Sequence, residues 1–216
     1  MSDKPTALIV DWGGVLTTPM ATAIAGWLEA EGISPDTYNQ AMRDFRDPEL
    51  IELNSFDPIA ALEKGELKLA HFEELLAAKI NALAGTAIAA EGLMGRMFHG
   101  FANAPTMVNV VRRAKAAGLS TALLSNSWGN EYLREDWDVL FDAVVISGEV
   151  GMRKPEADIY LHTLSLLKVE PGHAVFVDDM KPNVRGAAAV GIIGVHHQTY
   201  PQTLLELEAL FGIDLG

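Results

Sequence analysis

At 216 residues, 49% hydrophobic and 21% charged, the chain is long enough to bury a full core and to carry one domain with a substantial insertion. With 16 basic residues against 29 acidic ones the net charge is −13 with His neutral, a field that repels phosphate backbones and argues against a nucleic-acid partner. Cysteine is absent, which excludes disulfides and thiol catalysis and suits a reducing compartment; with no signal-peptide core and no stretch approaching the ~20 apolar residues of a membrane span, no membrane partner is expected and the cytoplasm is the expected location.

The first element in the chain is "ALIV", residues 7 to 10. A short apolar run bounded by turn residues reads as a buried strand. It ends in Asp11, Trp12, Gly13 and Gly14, which places a lone carboxylate at the end of a buried strand and sets the question of what needs it there. The next block has helical spacing throughout: "ATAIAGWLEAEG", "SPDTYNQAMRDF", "DPIAALEKG" and "AHFEELLAAKINAL". Ser34-Pro35 and Asp57-Pro58 supply helix starts, and Gly32 and Gly65 supply stops. No strand-like alternation interrupts this block, so it is expected to form an all-helical cap inserted after the first strand.

From Asn103 onward the pattern alternates. "APTMVNVVRRAKAAG" is a helix with Pro105 in its first turn, Met107, Val110, Val111 and Ala114 on one face, and Gly118 as its stop. Strand-like runs follow at "STALLS" (120 to 125), "AVVIS" (143 to 147), "AVFV" (174 to 177) and "GIIGVH" (191 to 196), with "PEADIYLHTLSLLKV" as a helix between the third and fourth runs of the chain. Such alternation predicts a parallel sheet with helices on both faces. A last amphipathic helix is expected over "QTLLELEALFGI", with Leu204, Leu207 and Leu210 inward.

Ligands of open parallel sheets bind beyond the carboxyl ends of the strands. The residues that follow the runs are Asp11, then Ser125 and Asn126, then Lys154 in the loop beyond the third run, then Asp178 and Asp179. All would converge on one crevice. Carboxylates brought together there repel one another unless cations join them, and one lysine with one hard divalent metal ion meets that need.

The ordered segments "IVDWGGVLT", "LLSNS", "GMRKPEADIY" and "VFVDDMKPNVRGAAAVGI" resemble the motifs of the haloacid dehalogenase-like (HAD) hydrolase superfamily over essentially the whole chain. The likeness is greatest to the subgroup that includes bacterial glucose-1-phosphate phosphatases and the N-terminal phosphatase domain of soluble epoxide hydrolase. The resemblance implies an α/β fold, a Rossmann-like three-layer sandwich with a central parallel sheet. A core domain is expected over residues 1–17 and 96–216, and an inserted all-helical cap domain over 18–95. It also implies a magnesium-dependent phosphatase acting on a small-molecule phosphate monoester, with sugar phosphates among the candidates, through an aspartyl-phosphate intermediate. Asp11 matches the nucleophile, Ser125 and Asn126 the phosphate-binding position, and Lys154 the cation that pairs with both nucleophile and phosphate. Asp178 and Asp179 match the acidic pair that completes a Mg2+ site with Asp11 and the main-chain carbonyl of Gly13.

Gly13 departs from most phosphatases of the superfamily, which place a second Asp there as general acid and base. General acid–base help contributes ~10²–10⁴-fold, so the departure leaves three readings open. In the first the chain is still a phosphatase, favouring substrates with easier leaving groups. In the second it cleaves carbon–halogen or carbon–phosphorus bonds, the latter requiring a Schiff-base lysine, for which Lys64, Lys68 and Lys79 are candidates by position. In the third it is a regulatory module that keeps a phosphate-shaped pocket. Arg43 and Arg46, one turn apart on a cap helix, could meet an anionic substrate. His196-His197 lacks a third ligand at usual metal spacing.

Overall fold

The structure is a computed structural model that describes residues 4–129, 132, 134 and 136–216. In chain order its elements are β1 (Ala7–Val10), α1 (Met20–Glu31), α2 (Pro35–Phe45), α3 (Pro48–Asn54), α4 (Pro58–Glu63), α5 (Leu69–Ala84), α6 (Leu93–Phe98), α7 (Pro105–Ala116), β2 (Ser120–Ser125) and α8 (Trp137–Leu140). There follow β3 (Ala143–Ile146), α9 (Ser147–Val150), α10 (Ala157–Leu167), a 3-10 turn (Pro171–His173), β4 (Ala174–Asp178), α11 (Lys181–Ala189), β5 (Ile193–His196) and α12 (Tyr200–Phe211). The chain divides into two compact units, one of Met1–Pro19, Ala102–Asn126 and Tyr132–Gly216, the other of Met20–Phe101 and Ser127–Glu131.

The first unit is built on a five-stranded sheet of order β3-β2-β1-β4-β5, every pair parallel. Period-two alternation sends Leu8, Val10, Leu123, Val175 and Val177 to one face, where α7 meets them with Met107, Val110 and Val111 and α12 with Leu207 and Phe211. Ala7, Ile9, Ala122, Leu124 and Phe176 face the other way, onto Ile159, Tyr160 and Leu164 of α10 and Ala187 of α11. Both faces are covered, which is why the strands read as continuous apolar runs. The inward stripe of α12 is Thr203, Leu207 and Phe211, with Leu204 and Leu210 at its flanks; four-residue steps follow a helix face more closely than the three-residue steps the leucines offered.

The second unit is all helical and packs its own core from Trp27, Leu28, Tyr38, Met42, Leu62, Phe72, Leu76, Ile80, Met94 and Met97. The Pro-bearing starts behave as their chemistry dictates. Ser34 accepts a hydrogen bond from Thr37 N at 3.1 Å, and Asp57 accepts from Ile59 N and Ala60 N at 3.0 and 2.9 Å. Two short helices, α3 and α6, are not legible as periodic segments; α3 is fixed by its Asp47 cap, and α6 by Glu73, whose carboxylate accepts from Gly92 N and Met94 N. The helical unit starts at Met20 and extends to Phe101, shifted toward the C-terminus relative to the expected 18–95. Thr18 N bonds to Ala102 O, Ala104 N bonds to Leu16 O, and Thr17 bridges Asn103, which ties both flanks to the sheet unit, while Met94 and Met97 bury α6 among the helices. Residues 127–129 also join it: Trp128 packs on Phe72 with ring centroids 5.9 Å apart and donates to Glu63 at 2.8 Å.

Candidate active site

The site is assembled from loops at the carboxyl ends of β1, β2, β3 and β4, all within the sheet unit. Asp11 continues β1 by one residue: its N–H donates to Val177 O at 2.9 Å, so the ladder to β4 fixes where the carboxylate emerges. The chain then turns tightly, with Trp12 N donating to Asp11 Oδ1 at 2.7 Å, Gly14 N to Thr17 Oγ1 at 3.1 Å and Leu16 N to Trp12 O at 2.9 Å. Gly13 lies inside this turn. Gly14 is required twice over: its φ is +76°, and a Cβ there would collide with the Asp179 carboxylate.

Lys154 reaches this turn from the loop after α9 and is 1% exposed. Its ammonium donates to Asp11 Oδ1 at 2.8 Å, to Asp178 Oδ2 at 2.7 Å and to Leu124 O at 3.0 Å. Three N–H groups thus meet three acceptors, with the Phe176 ring centroid 5.3 Å from Nζ. Asp178, fully buried, also accepts from Met180 N at 2.7 Å and from Asn183 Nδ2 at 3.2 and 3.1 Å on its two oxygens. Asn183 is held in turn, its carbonyl accepting from the Tyr160 hydroxyl at 2.8 Å. Gly186 lets α11 approach that closely, since a Cβ there would stand 2.7 Å from Pro155 O and 3.0 Å from the same hydroxyl.

Asp11, Asp178 and Asp179 each offer an oxygen within 4.8 Å of the others. Burial pushes Asp11 up to about 7 against the pull of Lys154, and burial together with the Asp178 charge pushes Asp179 up to about 6. Burial alone would lower Lys154, but the Asp11 and Asp178 carboxylates more than reverse that and hold its pKa above the usual lysine value. Crowded hard oxygen donors that resist ionisation fit a divalent cation. Asp11 Oδ1 is engaged twice, by Trp12 N and Lys154, whereas Oδ2 accepts no hydrogen bond from the described residues.

The two residues after β2 behave differently from each other. Ser125, 2% exposed, has its hydroxyl 3.0 Å from that of Tyr132. The side chain of Asn126 clasps the main chain of Lys154, accepting from its N–H at 2.9 Å and donating to its carbonyl at 3.0 Å. Tyr132, whose ring packs 5.0 Å from Trp12, and Asn183 are the site neighbours that sequence reasoning missed; each lies on a segment with no apolar period to draw attention, and only the "DDMKPN" spacing pointed toward Asn183. In the helical unit, Lys79 pairs with Asp44 at 2.5 Å, Lys68 is exposed at the start of α5 and Lys64 ends α4. Arg43 and Arg46 are exposed, Arg43 donating to Gln40 at 2.8 Å. His196 Nε2 lies 3.0 Å from Asp179 O and His197 Nδ1 2.8 Å from Thr203 Oγ1. No helix among the described residues is long and apolar enough to cross a membrane.

An aspartate directly after β1, a lysine and an acidic pair, in this order on this sheet, define a class, and the sequence comparison agrees: the chain belongs to the haloacid dehalogenase-like hydrolase family, whose model matches residues 5–191. It is a hydrolase of that family. Among curated relatives it is 29% identical over 215 residues to acyl-CoA dehydrogenase family member 10 of Mus musculus, covering 97% of this chain and 19% of that protein. It is 35% identical over 111 residues to the sesquiterpene phosphatase astK of Aspergillus oryzae, covering 49% of this chain and 56% of that protein. The chain thus spans well under two thirds of either relative. In fold it is similar to a HAD family enzyme of Bacteroides thetaiotaomicron solved with magnesium and inorganic phosphate, with TM-score 0.61, 19% identity and coverage of 90% of this chain and 94% of that one.

Proposed function

We propose that this hydrolase is a magnesium-dependent phosphatase acting on a small-molecule phosphate monoester. The observation that carries the reading is the buried Lys154 ammonium shared between Asp11 and Asp178 with Asp179 beside them. The likeness to a sesquiterpene phosphatase supports phosphate-ester chemistry, and a fold relative crystallised with magnesium and phosphate supports the cation. Asp11, Asp178 and Asp179, with the Gly13 carbonyl, would hold the ion. Bound there, magnesium supplies charge neutralisation and Lewis acidity.

The chain's own residues do the rest. The Asp11 carboxylate attacks phosphorus, the P–O bond to the leaving alcohol breaks, and an aspartyl-phosphate forms. Water then attacks that phosphorus, the bond to Asp11 breaks, and inorganic phosphate leaves with the carboxylate restored. Lys154, held at three points, keeps Asp11 aimed and offsets the charge of the phosphoryl oxygens, and the Ser125 hydroxyl donates to those oxygens. Gly13 offers no proton to the leaving oxygen, so esters of more acidic alcohols are the better substrates. Selection among them is assigned to the helical unit.

Phosphate release from a panel of small esters, with and without magnesium, for the wild type and Asp11→Asn, tests the reading. Magnesium-dependent turnover lost in the variant is the expected result. Absence of release from every ester overturns it.

A further inference from the structure

We propose that Asn126 is a positioning residue, acting through Lys154 instead of on the substrate; the inference deepens the phosphatase reading and rests on it for its kinetic arm. Residues 124–126 at the end of β2 hold the lysine at both ends. Leu124 O takes the ammonium at 3.0 Å, and both polar atoms of the Asn126 amide are engaged with the Lys154 main chain at 2.9 and 3.0 Å. The pair is a short ladder rung between the end of β2 and the loop after α9, made by a side chain instead of by main chain. A lysine side chain has four rotatable carbons and loses its aim if its root moves, and a displacement of about 1 Å at a reacting centre costs up to ~10²-fold in rate. Fixing the root as well as the head removes that freedom. The Nζ distances of 2.7 to 3.0 Å to Asp178, Asp11 and Leu124 are the geometry the rung preserves.

The alternative is that the amide of Asn126 binds the transferring phosphate directly. The two differ in what they disturb. A residue on the substrate raises KM for the ester and weakens inorganic phosphate as a product inhibitor; a rung under Lys154 releases the Lys154 amide proton and lowers kcat.

The experiment combines amide hydrogen exchange with steady-state kinetics on Asn126→Ala and Asn126→Asp of the full chain. In Asn126→Ala the Lys154 amide is expected to exchange at least ~10-fold faster while β1 and β4 amides keep their protection, and kcat is expected to fall ~10²-fold with KM within ~3-fold of wild type. Asn126→Asp keeps the acceptor for the Lys154 N–H and loses the donor to its carbonyl, so it retains most of the amide protection and loses less of kcat; it decides the matter if the alanine variant fails to fold. Unchanged exchange at Lys154, or a raised KM with kcat intact, overturns the proposal. If wild type releases no phosphate from any ester, the phosphatase reading falls by itself, and the exchange of the Lys154 amide still decides the rung.

Discussion

Both units bury carboxylates, and they use them in opposite ways. In the helical unit Glu73 accepts from the N–H groups of Gly92 and Met94 at the start of α6 and Glu63 from the Trp128 indole. The donors in these bonds are neutral N–H groups, and each bond ties together segments far apart in sequence. In the sheet unit Asp11, Asp178 and Asp179 crowd one another around a single buried ammonium. Buried acids satisfied by neutral N–H groups hold a fold together; buried acids crowded by like charges work against it and are kept for chemistry.

Isosteric amides break that symmetry most sharply. Asp11→Asn is expected to reduce magnesium-dependent phosphate release by roughly 10⁴-fold or more, while the thermal midpoint of the metal-free protein at pH 8 falls no lower than that of wild type. A folded variant with measurable nucleophilic turnover would place the chemistry elsewhere. The missing acid at Gly13 gives the next effect: kcat/KM for an aryl phosphate is expected to exceed that for a primary alkyl phosphate by about 10²-fold, within the range of a general acid's contribution. Equal values would mean that another group supplies the proton.

Strand ends and motif residues were readable from the sequence for a physical reason. "ALIV", "STALLS" and "AVFV" are apolar on both faces because helices cover both, so the polar residues that terminate them stand out. Asp11, Ser125, Asp178 and Asp179 are legible in that way, whereas Lys154, in the loop after α9, is legible through the "GMRKPEADIY" segment. What Asn126 does was not, because an asparagine after a strand looks the same whether it turns to a ligand or to the loop across from it. Tyr132 depends on a fold-back toward Ser125 that no local pattern encodes. The helices α3 and α6 are too short for a period to register, and α6 depends on a glutamate some twenty residues earlier in the chain.

Titration sharpens the contrast at smaller amplitude. Asp11 at about 7 and Asp179 at about 6 lie above the ordinary value of 3.8. Between pH 4 and pH 7 the folded metal-free protein therefore holds protons that the unfolded chain has released. Its stability should fall across that window, by on the order of a few kcal/mol at most. Magnesium competes with those protons, so its stabilising effect should grow from pH 5 to pH 8, as read from thermal melts at each pH with and without the ion. Equal stabilisation at both ends would mean that the acidic cluster is not where the ion binds. The smallest effect belongs to the helical unit: Glu63→Gln and Glu73→Gln keep a carbonyl acceptor for the same donors. Each is expected to cost less than about 1 kcal/mol in denaturant melts and to leave turnover within about 2-fold of wild type.

The strand order carries a consequence for how the molecule is made. β1 emerges first and stands in the middle of the sheet, yet Ala7 pairs with Ser120 on one side and Ala174 on the other. Until those segments leave the ribosome, "ALIV" has both of its edges open, while the helical unit can build most of its core from Met20–Phe101 and lacks only the contribution of Trp128 from beyond β2. Closing such long loops slows folding and leaves an apolar strand available to wrong partners. Asp11 is thus synthesised well before the segments that surround it and gains those neighbours late, and a chain truncated before β4 carries Asp11 without Asp178, Asp179 or a finished sheet.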